Sequence, residues 1–95
     1  MTSWRVHLLS GARRNLRALP KGAQRRVTEE LVELSRNPTP SGSVLLRGTV
    51  RDYRIRVGNY RVVYRLGTKS ILVVRIEKRG DETYRDYNPR RKRAK

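Results

Sequence analysis

The sequence has no cysteine and no phenylalanine, and it carries a single tryptophan, a single histidine and only 8 acidic residues. Without thiols there is neither a disulfide framework nor a thiolate zinc site, and a reducing compartment is allowed. There is no glycine-rich phosphate loop, no His/Cys/Asp cluster and no serine-centred elbow, so neither a metal nor a cofactor is expected. Long hydrophobic runs are also missing. Met1 to Leu9 holds only a short apolar stretch interrupted by Arg5 and His7, unlike a signal peptide or a spanning helix of about 20 residues. A cytoplasmic chain with no membrane partner is expected. Only 36% of the 95 residues are hydrophobic, enough for one core. The chain is therefore read as a single domain, residues 1–87, followed by a basic tail, 88–95, expected to be disordered in the free protein.

Positive charge is what the sequence has in excess. The chain has 24 Lys and Arg residues and a net charge of +16. So small a body with that charge repels itself unless a polyanion or an acidic protein lies nearby. RNA, DNA, an acidic protein and a membrane surface would all attract it. Only the positions of the cations choose among them.

Trp4 to Leu9 alternates weakly and reads as a first strand, with Ser10-Gly11 opening a helix. Ala12, Leu16 and Leu19 then recur at helical spacing. Pro20 and Gly22 interrupt the pattern before Ala23, Val27, Leu31 and Leu34 resume it up to Asn37-Pro38. A helical hairpin with one apolar seam is expected, with Arg13, Arg14, Arg17, Arg25, Arg26 and Arg36 outside. Thr39 to Ser43 is a turn, and Leu45 to Gly48 is an irregular approach to a sheet. Beyond it the period becomes two, with strands predicted over Val50 to Val57, Tyr60 to Leu66 and Leu72 to Ile76. The fold class is α+β: an N-terminal strand, a helical hairpin, then an antiparallel three-strand meander whose twisted sheet carries the helices on one face.

Gly58-Asn59 has the character of a two-residue hairpin turn. A turn there pairs Val57 with Tyr60, Arg56 with Arg61, Ile55 with Val62, Arg54 with Val63 and Tyr53 with Tyr64. Tyr53, Ile55, Val57, Tyr60, Val62 and Tyr64 then face the helices. Arg54, Arg56, Arg61 and Arg65 stand on the other face with Asp52. Like charges paired across strands cost about 0.2–1 kcal/mol, which a bound anion would relieve. Pairing Leu66 with Leu72 sends Leu72, Val74 and Ile76 to the core and Val73, Arg75, Glu77 and Arg79 to the arginine face. A plain solvated cationic face is the competing reading, and for the helix arginines the solvated reading is the favoured one.

Without metal ligands, RNA cleavage can use the 2′-hydroxyl of RNA as nucleophile, given a base, cations at the phosphorane and an acid for the leaving oxygen. Arginines suit the cationic role and make poor bases. Tyr84 is the candidate acid or base, its phenolate favoured by surrounding cations. An aromatic plug or a base-stacking platform is the alternative for it. Glu77 is a reserve base, or an ion-pair partner of Arg61 or Arg75. His7 and Trp4 read as packing or surface residues.

Leu19-Pro20, Asn37-Pro38, Leu46-Arg47-Gly48, the run from Asp52 to Tyr64, Lys78-Arg79 and Tyr84-Arg85 together resemble the RelE branch of the RelE/ParE toxins, over residues 4–87. The stretch Tyr53-Arg54-Ile55-Arg56-Val57-Gly58-Asn59-Tyr60-Arg61-Val62-Val63-Tyr64 is its specific part. The resemblance implies a RelE-like fold and the toxin of a type II toxin–antitoxin system. It also implies a metal-independent endoribonuclease, an mRNA interferase cutting messages in the ribosomal A site and leaving a cyclic phosphate. By position it assigns a basic pair to Arg54 and Arg56, a phosphate-binding arginine to Arg61, the acid to Arg79 and the C-terminal tyrosine to Tyr84. Some relatives carry lysine at the first two positions; if a lysine is their base, that role moves here to Tyr84 or the activity is weaker. The expected catalytic set is Arg56, Arg61, Arg79 and Tyr84, and the expected RNA-binding set Arg54, Arg56, Arg61, Arg75 and Lys78. The resemblance and the charge imply an acidic antitoxin that covers the sheet face or displaces the Tyr84 segment in a hetero-oligomer. Two other readings stay open: a ParE-like inhibitor of DNA gyrase, and an RNA-binding module without catalysis.

Overall fold

The apolar stripes at every third or fourth residue do form helices, and the period-two stretches form strands. The computed structural model describes residues 3–78. In chain order these residues make β1 (Arg5–Leu8), α1 (Ser10–Ala18), α2 (Lys21–Arg36), β2 (Val44–Leu45), β3 (Asp52–Val57), β4 (Tyr60–Leu66) and β5 (Ser70–Lys78). Arg79, Tyr84 and the tail 88–95 lie outside the described residues.

Pro20 separates the helices because its ring locks φ and it has no N–H to continue α1. The carbonyls left bare at the end of α1 are met from α2: Gln24 Nε2 donates to Arg17 O at 3.1 Å and to Leu19 O at 3.0 Å. Ser10 is the first residue of α1 rather than its cap; Leu9, in extended conformation, precedes it.

The five strands form one sheet in the order β1-β5-β4-β3-β2. β1 runs parallel to β5 at one edge, and the two-residue β2 sits at the other. Where the irregular approach was expected to begin, at Leu45, a short strand instead pairs Val44 with Arg54 and Leu45 with Tyr53. The core lies between one sheet face and the helices. It holds Ala12, Val27, Leu31 and Leu34 against Ile55, Val57, Val62, Tyr64, Ile71, Val73 and Ile76, with Leu16, Leu19, Tyr53 and Tyr60 packed around it.

The β3/β4 pairing follows the anticipated register at every position from Tyr53↔Tyr64 to Val57↔Tyr60. The β4/β5 register holds for half the ladder and is corrected in the other half. Arg61↔Glu77, Val62↔Ile76 and Val63↔Arg75 are as anticipated, but a bulge follows, and beyond it Tyr64 faces Val73, Arg65 faces Leu72 and Leu66 faces Ile71. The extra residue is Val74. The core therefore receives Ile71, Val73 and Ile76 in place of Leu72, Val74 and Ile76. A bulge reconciles two demands that strict alternation cannot meet: two fully buried residues, Ile71 and Val73, and an outward Arg75. The loop before β5 is shorter than expected, closed by Gly67 N–H to Ser70 O at 2.8 Å with Lys69 at a φ of 57°.

Candidate nucleic-acid interface

Gly58 begins the geometry. Its φ is +60°, while Asn59 is not among the positive-φ residues, so the turn has the character in which the first central residue alone needs glycine. Its twist matches that of the strands and sets Arg56 directly across from Arg61. Alternation then keeps Arg54 beside Arg56, Arg65 beside Arg61 and, across the next ladder, Arg75 opposite Val63. Arg54, Arg56, Arg61, Arg65 and Arg75 share the sheet face turned away from the helices. Val63 lies among them and is only 5% exposed. It is flanked in the ladder by Arg54 and Arg75, whose aliphatic stems are suited to cover it while the charged ends reach solvent.

Carboxylates neutralise part of this face and leave part of it bare. Asp52 receives Arg65 in a two-pronged contact, Nε to Oδ1 at 2.7 Å and Nη2 to Oδ2 at 3.1 Å. That hydrogen bond holds the Asp52 carboxyl below its usual range. Arg75 Nε donates to Glu77 Oε2 at 2.9 Å, so Glu77 serves here as an ion-pair partner. Arg54 and Arg56 make no ion pair among the described residues. Arg54 and Arg56 thus stand without a carboxylate partner among the described residues, with the half-buried Arg61 directly across from Arg56.

Lys78 does not join this face. It pairs with Tyr60, whose side chain lies on the helix side, and it projects from the end of that side. Two further residues do join it. Arg5 and His7 alternate with the inward Val6 and Leu8, are exposed, and align with Ser70 and Leu72 of β5. The signal for Arg5 was present in the alternation of β1, but only the parallel pairing with β5 says which side its odd positions take. Arg79 and Tyr84, the expected acid and base, lie outside the described residues.

Among the described residues no group of three His, Asp or Glu side chains gathers to hold a metal. No described helix is long and apolar enough to cross a membrane. Guanidinium forks spaced along such a face are chemically suited to the phosphate groups of an extended strand.

Residues 6–83 match the family described as the ParE toxin of the type II toxin–antitoxin system. No curated protein matches the chain. Among solved structures, it resembles the archaeal RelE–RelB complex from Pyrococcus horikoshii OT3 with 32% identity and a TM-score of 0.74, over 82% of this chain and 97% of that one. It resembles the RelBE2 toxin–antitoxin complex from Mycobacterium tuberculosis with 31% identity and a TM-score of 0.72, over 85% and 97% of the two chains. The isolated E. coli RelE toxin shares the fold at 22% identity, with a TM-score of 0.72 over 80% and 84%.

Proposed function

This chain belongs to the ParE toxin family of type II toxin–antitoxin systems, within the RelE/ParE superfamily, and we propose that it acts as a metal-independent endoribonuclease on messages in the ribosomal A site. The observation that carries this reading is the pairing of Arg56 with Arg61 on an open face where neither Arg54 nor Arg56 is neutralised within the described fold. Like charges are set side by side there at a cost, and a sugar-phosphate strand removes it.

In the proposed reaction the 2′-hydroxyl of one nucleotide attacks the adjacent phosphorus, the bond to the 5′-oxygen breaks, and a 2′,3′-cyclic phosphate and a 5′-hydroxyl result. Arg61 and Arg56 stabilise the charge that grows on the phosphorane oxygens. Arg54, with Arg75 at the margin, holds the neighbouring phosphates. Tyr84 takes the proton from the 2′-hydroxyl and Arg79 supplies one to the leaving oxygen; both assignments rest on the family motif. Lys78 acts only through diffuse attraction, given its place on the helix side.

The partner that restrains such a toxin is an acidic antitoxin. The Pyrococcus and Mycobacterium relatives were solved as toxin–antitoxin complexes, and the +16 charge of this chain suits an acidic partner.

Mapping RNA ends after brief induction tests the reading. Cuts confined to translated messages are expected, and Arg61→Ala combined with Tyr84→Phe should abolish them while leaving the fold intact. The ParE description of the matched family favours a second reading, inhibition of DNA gyrase by binding. Intact RNA together with loss of supercoiling activity in a gyrase assay would establish that alternative.

A further inference from the structure

Arg5 belongs to neither residue set assigned to RNA above, yet it stands on the same face. On β1 the exposed Arg5 and His7 alternate with the inward Val6 and Leu8. In the parallel ladder Arg5 lies beside Ser70 and His7 beside Leu72, and Leu72 lies in turn beside Arg65 of β4. Both β1 residues are therefore on the arginine face, at the edge opposite β2. Neither makes an ion pair or a side-chain hydrogen bond among the described residues. The Arg5 amide donates to Lys69 O at 3.0 Å, which brings a second exposed cationic residue to that end of β1.

Cations without a carboxylate partner thus occur at two places on one face, Arg54 and Arg56 on β3 and Arg5 on β1. On the strands between them, Asp52 holds Arg65 and Glu77 holds Arg75. Leu72, half-buried, and Val63, almost wholly buried, add uncharged surface there. β3 and β1 are three inter-strand spacings apart, about 14 Å. One phosphate cannot touch both places, but a chain of phosphates can, and its uncharged sugars and bases suit the surface between. A strand laid along β3 would instead meet Arg54 and Arg56 and leave Arg5 in solvent.

We infer that Arg5 is a phosphate-binding residue and that RNA crosses the strands of the sheet, from Arg54 and Arg56 on β3 over Leu72 to Arg5 on β1. The inference rests on the RNA-binding reading above and adds the path of the strand to it. Arg5 holds the substrate and takes no part in the bond-making step.

Uncleavable RNA tests this apart from nuclease activity. Fluorescence anisotropy over a range of salt is read for the full chain and its variants with 2′-O-methyl oligouridine, in a length series from the decanucleotide downward. Each phosphate contact to a single strand contributes about 0.7 to the slope of log K against log salt. With the decanucleotide, Arg5→Ala should lower the slope by about that amount. Arg25→Ala, which removes the same charge from α2, should change it much less, and Arg5→Lys should keep it. Shortening the strand should erase the difference between the native chain and Arg5→Ala before it abolishes binding, because a short strand held at β3 no longer reaches β1. Superimposable thermal unfolding of the variants excludes misfolding.

Equal slopes for the native chain and Arg5→Ala, or an equal loss in Arg25→Ala, would overturn the inference and leave Arg5 as an edge-strand cation that discourages strand addition. A difference that persists down to the shortest strand bound would overturn the crossing path. Failure of the RNA-binding reading shows separately, as the absence of salt-dependent binding by the native chain at any length.

Discussion

Asn15 of α1 reaches across the core with its side-chain oxygen and accepts a hydrogen bond from the Ile76 amide at 3.0 Å, just past the bulge in β5. The bulge interrupts the strand ladder, and Asn15 satisfies a backbone donor close to the break. In doing so it anchors the segment that turns Arg75 and Glu77 outward.

Replacing Asn15 by Leu should therefore cost more than its exposure suggests. A partly buried amide left without an acceptor costs about 1–3 kcal/mol. Chemical denaturation should show that loss. Asn15→Asp, which keeps an acceptor, should recover much of it. If Asn15→Leu unfolds at the native denaturant midpoint, the bulge needs no such support.

The arginines of the sheet face should contribute unequally to RNA affinity. Each phosphate contact to a single strand lowers the slope of log K against log salt by about 0.7. Arg54→Ala and Arg56→Ala should each reduce the slope by about that amount. Arg65→Ala should change it little, because Asp52 already holds Arg65. Fluorescence anisotropy over a range of salt concentrations measures all three, and equal effects would show that Asp52 does not shield Arg65.

Gly58 should tolerate no side chain. Its φ is +60°, and a Cβ there would approach Arg26 Nη1 to 3.0 Å. Strain at such a position costs about 1–3 kcal/mol. Gly58→Ala should lower the melting temperature, and it should also weaken RNA binding by disturbing the Arg56/Arg61 pairing. Loss of stability with unchanged binding would show that the pairing survives a distorted turn.

Tyr64 links the sheet to the end of the helical hairpin, its hydroxyl donating to Pro38 O at 2.8 Å. Burial pushes its pKa up to about 12 from 10.0. The folded state thus favours the neutral phenol. The unfolded chain ionises near the ordinary value, so stability holds below about pH 10 and falls as the pH rises from there toward 12. Tyr64→Phe should lose about 1 kcal/mol at neutral pH and flatten the alkaline decline. An unchanged alkaline profile in Tyr64→Phe would assign the decline to other groups.

The arginine corner was legible because it depends on short-range information. Gly58-Asn59 is a turn whose residue types specify its geometry, and with side-chain period two, one correct turn sets every side chain of β3 and half of β4/β5. The helices were legible for a similar reason, since Val27, Leu31 and Leu34 can share a face only at helical spacing. Errors began where two strands had to negotiate. The bulge at Val74 answers a packing demand set by helices distant in sequence, and nothing in the local run Leu72 to Ile76 announces it.

By itself the sequence determined the order of the helices and the longer strands, the hairpin that juxtaposes Arg56 with Arg61, and an excess of cations suited to a polyanion. Only the tertiary structure decided which carboxylates neutralise which arginines, that Arg5 joins their face, and that Lys78 leaves it. The reason is range. Turn chemistry and periodicity act between residues a few positions apart, whereas ion pairs, sheet edges and clefts arise between elements that meet only when the core closes.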